Sequence, residues 1–213
     1  MTHDEIRDRL IAQGVVPVLR LASAELTEHA VGCLADAGFT TVEITMTTPD
    51  AVELIRRIAR SLGPGFLVGA GTVLDPDTAQ RCADAGARFL VSPGVVPGMA
   101  QVAHAAGCAA LVGGLTPTEI LAAHREEADI VKVFPASMGG PEYLRAVHAV
   151  FPDILLCPTG GVSLENMQAY LTAGAALVCV GNNIIDQHAL ATGDMERVTA
   201  YARRFLHPDT AAT

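Results

Sequence analysis

Tryptophan is absent from this 213-residue chain, and aromatic residues make up only 4% of it. That removes the rings on which single-stranded nucleic acid stacks. Positive charge is scarce as well: 14 lysines and arginines stand against 23 acidic residues, for a net charge of −9, and the basic residues are scattered. No stripe is left for a phosphate backbone, so nucleic acid is not expected as a partner. No uninterrupted apolar run reaches the length of a membrane span, and the opening segment from Met1 to Leu10 is too charged for a secretory signal. The expectation is a soluble, cytoplasmic protein with no membrane partner. The five cysteines, Cys33, Cys82, Cys108, Cys157 and Cys179, are odd in number, widely separated and set in apolar patterns. They read as small buried hydrophobes in a reducing compartment. None of the seven histidines falls at the end of a strand-like run. A three-ligand catalytic metal is then hard to build, and no metal site is expected.

Lysine is the scarcest charged residue. Lys132 is the only one, and it stands inside the most apolar strand-like run, Asp129-Ile130-Val131-Lys132-Val133-Phe134-Pro135. Arginine supplies positive charge everywhere else, so the one amine is expected to do what a guanidinium cannot, which is to lose a proton. In apolar surroundings a lysine can fall several units below its ordinary pKa of about 10.4, and the neutral amine is a nucleophile suited to carbonyl capture.

What is abundant is aliphatic. Hydrophobic residues make up 50% of the chain and its mean hydropathy is +0.36, enough for one sizeable core and a single domain over residues 1–213. Eight short apolar runs recur with helical patterns between them: Val15–Arg20, Thr41–Thr45, Phe66–Gly69, Arg88–Ser92, Ala109–Val112, Ile130–Phe134, Ile154–Cys157 and Ala176–Val180. Strands apolar on both faces and joined by helices imply a parallel sheet, and eight units in so short a chain imply closure. The expected fold is α/β, a (β/α)8 TIM barrel with an extra N-terminal helix, from about Asp4 to Gln13, plugging its lower mouth. An open doubly wound sheet would need a Gly-x-Gly-x-x-Gly turn after an early strand, and none is present. Thr48-Pro49, Asp75-Pro76 and Thr116-Pro117 read as capping side chains followed by proline at the first helical position, with Glu119 completing a capping box. Ala-Gly pairs at 37–38, 85–86, 106–107 and 173–174 read as helix ends.

Polar residues interrupt the strands only near their carboxyl ends, where such barrels place their active sites. In Val42-Glu43-Ile44 and Val131-Lys132-Val133 the flanking aliphatics face the helices, so Glu43 and Lys132 point into the barrel. The glycine turns Thr159-Gly160-Gly161 and Gly181-Asn182-Asn183 follow strands seven and eight, the usual phosphate cradle of this barrel. Amine, carboxylate and cradle together suggest a Schiff-base enzyme acting on a phosphorylated keto compound, with Arg20 and Thr72 available to hold a carboxylate.

Five segments carry a resemblance to a known family: Val42-Glu43-Ile44-Thr45, Gly69-Ala70-Gly71-Thr72-Val73, Val91-Ser92-Pro93-Gly94, Val131-Lys132-Val133-Phe134-Pro135-Ala136 and Cys157-Pro158-Thr159-Gly160-Gly161-Val162. In order and spacing, from about residue 14 to 205, the chain resembles the class I aldolases of 2-keto-3-deoxy-6-phosphogluconate (KDPG) and 4-hydroxy-2-oxoglutarate (KHG). The resemblance implies a homotrimeric barrel that releases pyruvate and glyceraldehyde 3-phosphate from a small phosphorylated 2-keto-3-deoxy acid, without metal or cofactor. It implies Lys132 as the Schiff-base amine and Glu43 as the proton carrier. Thr72, Pro93, Phe134 and Thr159 then line the pyruvyl end, and Gly160, Gly161 and Gly181 form the phosphate turn. There are departures from the family pattern. Thr47 stands where some members have arginine, which leaves Arg20 to bind a carboxylate. Asn182 or Asn183 stands where the phosphate turn often has serine, and Gly113-Gly114 where Pro-Gly is frequent. Gly140-Pro141-Glu142-Tyr143 resembles the phosphogalactonate branch, so the epimer stays open, as does turnover of 4-hydroxy-2-oxoglutarate. Two other readings remain: a phosphate-binding barrel isomerase or epimerase that forms no imine, and a silent barrel that senses a sugar phosphate.

Overall fold

Strands buried on both faces need cover on both, and a closed ring of them finds it in its own interior on one side and a jacket of helices on the other. The computed structural model describes residues 1–207, so the last six residues of the expected 1–213 domain lie outside the described residues. A helix α1 (His3–Gln13) leads into β1 (Val15–Leu19), α2 (Ala24–Ala37), β2 (Thr41–Thr45), α3 (Ala51–Leu62), β3 (Leu67–Gly71), α4 (Pro76–Asp84), β4 (Phe89–Val91) and α5 (Met99–Ala105). The chain continues through β5 (Ala109–Gly114), α6 (Pro117–Arg125), β6 (Ile130–Val133), α7 (Gly140–Val150), β7 (Leu156–Pro158), α8 (Met167–Thr172) and β8 (Val178–Val180). It ends on α9 (Gln187–Thr192) and α10 (Met195–Arg203). All pairings are parallel and the order β7-β6-β5-β4-β3-β2-β1-β8 runs round the ring. Two isolated bridges, Leu156↔Ala175 and Thr159↔Cys179, close the seam between β7 and β8. The fold is a (β/α)8 barrel with an added N-terminal helix.

The period-two alternation sorts the aliphatics into two layers. Val42, Ile44, Val131 and Val133 join the layer under the helices, while Val16, Val18, Leu67, Phe89, Leu111 and Cys157 fill the interior. The helix α1 contributes Ile6 and Leu10 to that interior cluster, which is how it plugs the lower mouth. Thr2 and Glu5 form its capping box, and Gly14 ends it in the left-handed region. Asp75 and Thr116 cap α4 and α6 as their sequences indicate.

The expectation at Thr48 is corrected. The α3 helix starts at Ala51 behind a left-handed Asp50 that makes no side-chain cap, and Thr48 is buried with its hydroxyl unpaired among the described residues. Strand ends are corrected too. The β3 and β5 strands run on through Gly71 and Gly114, because glycine backbones pair as well as any: Gly71 lies opposite Val91 and Gly113 opposite Lys132. Phe66, Arg88, Ile154 and Ala176 precede their strands rather than opening them, and Arg20, Ser92 and Phe134 follow theirs. The cysteines are all free and buried, but Cys157 and Cys179 are not isolated from each other; their sulfurs lie 3.1 Å apart on neighbouring strands. No helix among the described residues is long and apolar enough to cross a membrane.

Candidate active site

The alternation that buries Val131 and Val133 under the helices turns Lys132 inward, and the same register turns Glu43 inward from β2. The Lys132 side chain is 7% exposed and that of Glu43 1%, with Nζ 3.7 Å from Oε1. At that separation the charges attract without a direct hydrogen bond, and neither Glu43 oxygen accepts one from the described residues. Burial pushes the Glu43 carboxyl up from its ordinary range; the Lys132 ammonium and, more weakly, Arg20 pull it down without offsetting the burial. The Lys132 Nζ also lies 5.5 Å from the centre of the Phe134 ring.

Room for the carboxylate comes from a residue that the sequence reading did not single out. A Cβ on Gly71 would stand 1.9 Å from Glu43 Oε1, so only glycine fits beside the carboxylate. At Gly113 a Cβ would strike the Pro93 backbone at 2.2 Å, so this glycine lets the loop after β4 reach the mouth. The one trace of this in the sequence is that Gly69 and Gly71 take both interior positions at the carboxyl end of β3, which marks missing side chains but not what fills their space. Thr72 follows at φ 59°, a left-handed conformation that β-branched residues avoid.

Above the amine opens a pocket of about 300 Å³. Thr72, Pro93, Phe134 and Thr159 line it together with Lys132 and Glu43, from the ends of β3, β4, β6 and β7. Gly160 and Gly161, both at positive φ, and Gly181, Asn182 and Asn183 line it from the turns after β7 and β8, and Arg20 from the loop after β1. Every residue that the sequence reading singled out for the site thus meets in one cavity, joined by Val18, Thr45 and Val162. A Cβ at Gly181 would meet nothing within 4 Å, so this glycine borders open space rather than packing.

A family model described as KDPG and KHG aldolase matches residues 6–201. The chain belongs to the KDPG and KHG aldolase family. The 2-dehydro-3-deoxy-phosphogluconate aldolase of Dickeya dadantii (strain 3937) is 35% identical over 203 residues, which cover 95% of each chain. A probable 2-dehydro-3-deoxy-6-phosphogalactonate aldolase of Rhizobium meliloti (strain 1021) is 36% identical over 184 residues, 86% of each. Among solved structures, the KDPG aldolase of Legionella pneumophila, with pyruvate captured as a covalent carbinolamine, superposes with a TM-score of 0.85 at 27% identity. It covers 93% of this chain and 97% of that one.

Two departures of this KDPG and KHG aldolase family member from the pattern acquire a geometry. Thr47 pairs with Thr45 at 2.8 Å, and Thr45 in turn donates to the Leu19 carbonyl, so the two hydroxyls knit β2 to β1. Asn182 clasps the backbone of Arg20: its Oδ1 accepts the Arg20 N–H at 3.0 Å and its Nδ2 donates to the Arg20 carbonyl at 2.8 Å. Its amide is therefore committed to the protein.

Proposed function

We propose that the protein is a class I aldolase that splits 2-dehydro-3-deoxy-6-phosphogluconate into pyruvate and glyceraldehyde 3-phosphate. The observation that carries the reading is one amine, the only one on a side chain in the sequence, at the floor of a pocket and 3.7 Å from a buried carboxyl. In this reading the Lys132 nitrogen adds to the C2 carbonyl, and the carbinolamine loses water to an iminium. Glu43 takes the proton from the C4 hydroxyl, directly or through one water. The C3–C4 bond breaks with its electron pair drawn into the iminium, so the aldehyde leaves and an enamine remains. Protonation at C3 and hydrolysis release pyruvate and restore the amine. A buried acid with a raised pKa suits the part, since it has to take up a proton and return it.

Thr72, Pro93, Phe134 and Thr159 border the pyruvyl end in this scheme. The far phosphate is assigned to the backbone N–H groups around Gly160, Gly161, Gly181 and Asn183, supported by the open space beside Gly181. Arg20 is assigned to that same end rather than to the pyruvyl carboxylate, because Asn182 fastens its backbone to the turn after β8 while Thr72 follows β3. Pyruvate with borohydride should modify Lys132 irreversibly, and Lys132→Arg should abolish both the adduct and turnover. A chain left unmodified, as read by mass spectrometry, overturns the aldolase reading. Cleavage rates on the gluconate and galactonate epimers and on 4-hydroxy-2-oxoglutarate rank the substrates.

A homotrimer belongs to the same proposal. A chain 31% identical to this one, with a TM-score of 0.83 over 92% of this chain and 71% of that chain, forms part of a cage-shaped protein designed by fusing symmetric oligomeric domains. Met138 and Val150 here are 74% and 69% exposed, apolar surface that a subunit contact would cover. Light scattering should give three times the 22.1 kDa chain mass; a monomer refutes it. The cytoplasm is the proposed compartment, in keeping with five free cysteines.

A further inference from the structure

Three side chains that the proposed reaction does not use meet at the opposite end of the barrel. His3 opens α1, His104 lies in α5, and Asp129 precedes β6. The two imidazoles stack with centroids 4.2 Å apart. His3 Nδ1 is 2.8 Å from Asp129 Oδ1, and His104 Nε2 is 2.8 Å from Oδ2. The aspartate side chain is only 5% exposed, and its Oδ2 also accepts the Ala110 N–H at 2.7 Å. One ligand atom from each of the three residues falls within 4.8 Å of the others. We propose that His3, His104 and Asp129 form a structural site for a borderline divalent cation of the zinc(II) type.

The donor set selects the ion class. Two imidazole nitrogens and one carboxylate oxygen suit zinc, nickel or cobalt, whereas calcium and magnesium prefer oxygen throughout. The Ala110 N–H holds the carboxylate from behind, as outer hydrogen bonds do for metal ligands. The histidines are 35% and 22% exposed, which gives an ion a way in and water a place to complete a tetrahedron. Binding asks for one movement. Both ring nitrogens face the same carboxylate at 2.8 Å, so the stacked rings must splay to admit an ion between them; His3 is the more exposed of the two. The ion would tie the plug helix α1 to α5 and to the start of β6. These ligands come from two helices and the residue before β6, not from the carboxyl ends of strands.

The test uses the untagged full chain titrated with zinc sulfate in a calorimeter, and with cobalt(II) chloride followed by visible absorption. One equivalent should bind, the melting temperature should rise, and histidine ring resonances should shift for His3 and His104. His3→Gln and Asp129→Asn should each weaken binding at least about ten-fold while pyruvate trapping at Lys132 continues unchanged. His3→Gln leaves the His104 to Asp129 bond in place, so folding is preserved in at least one variant. Failure to bind one equivalent, or binding undiminished in both variants, overturns the proposal.

Discussion

At the scale of single residues, the tension of the site sits in Glu43. Both of its oxygens are buried without a hydrogen bond from the described residues, and burial outweighs the attraction of Lys132, so its pKa lies above the ordinary carboxylate value. An acid whose pKa is raised by folding contributes stability that is present in full below its unfolded pKa and is lost as pH rises through its folded pKa. Glu43→Gln removes that dependence. The variant should gain on the parent chain as pH rises through that window, by at most about 1.4 kcal/mol per pH unit, while losing turnover. Urea unfolding across the range reads the difference, and a difference flat with pH would contradict the burial argument. The orientation of Glu43 and Lys132 was legible in the sequence, since two aliphatic neighbours on each strand decide which face a charge takes. The space that admits the carboxylate was not, because Gly71 shows its purpose only when β3 lies beside β2.

At the scale of elements, the turn after β8 and the loop after β1 act as one unit through Asn182. Each of its two hydrogen bonds to Arg20 stabilises by about 0.5–1.5 kcal/mol, and both are lost in Asn182→Ala. The variant should raise KM for the phosphorylated substrate about ten-fold, the worth of roughly 1.4 kcal/mol, while borohydride trapping with pyruvate, which lacks a phosphate, proceeds at the parent rate. Equal effects on both would place the latch elsewhere in the reaction. The capping signals show how local chemistry succeeds and fails. Asp75 and Thr116 reach the N–H three residues on, so their four-residue windows contain the whole interaction. Thr48 has the same proline after it, but the chain turns through a left-handed Asp50 and starts the helix later, leaving the hydroxyl inside.

At the scale of the whole molecule, the barrel is a ring with one plugged end and one working end. Leu10 fills the lower end, fully buried in the interior cluster. Leu10→Ala should cost about 2–5 kcal/mol of unfolding free energy, measured by urea denaturation. The kcat of the molecules that remain folded should hold, because the plug and the mouth are separated by the filled layers between them. A fall in kcat at full occupancy of the folded state would show that the two ends are coupled.

Periodicity is a local property, so the sequence by itself determined the number of strands, the helices between them, the inward aim of Glu43 and Lys132 and the clustering of polar residues at the strand ends. It also carried the family likeness, in five segments whose order and spacing are written along the chain. Closure is not local, and what depends on it was decided only in three dimensions. Bringing β8 back beside β1 sets Asn182 on Arg20 across 162 residues, and closing β7 onto β8 brings Cys157 to Cys179. Packing the plug beneath the ring gathers His3 and His104 around Asp129. These contacts join residues whose own neighbourhoods carry no mark of the partner, because the geometry that pairs them exists only once the ring has closed.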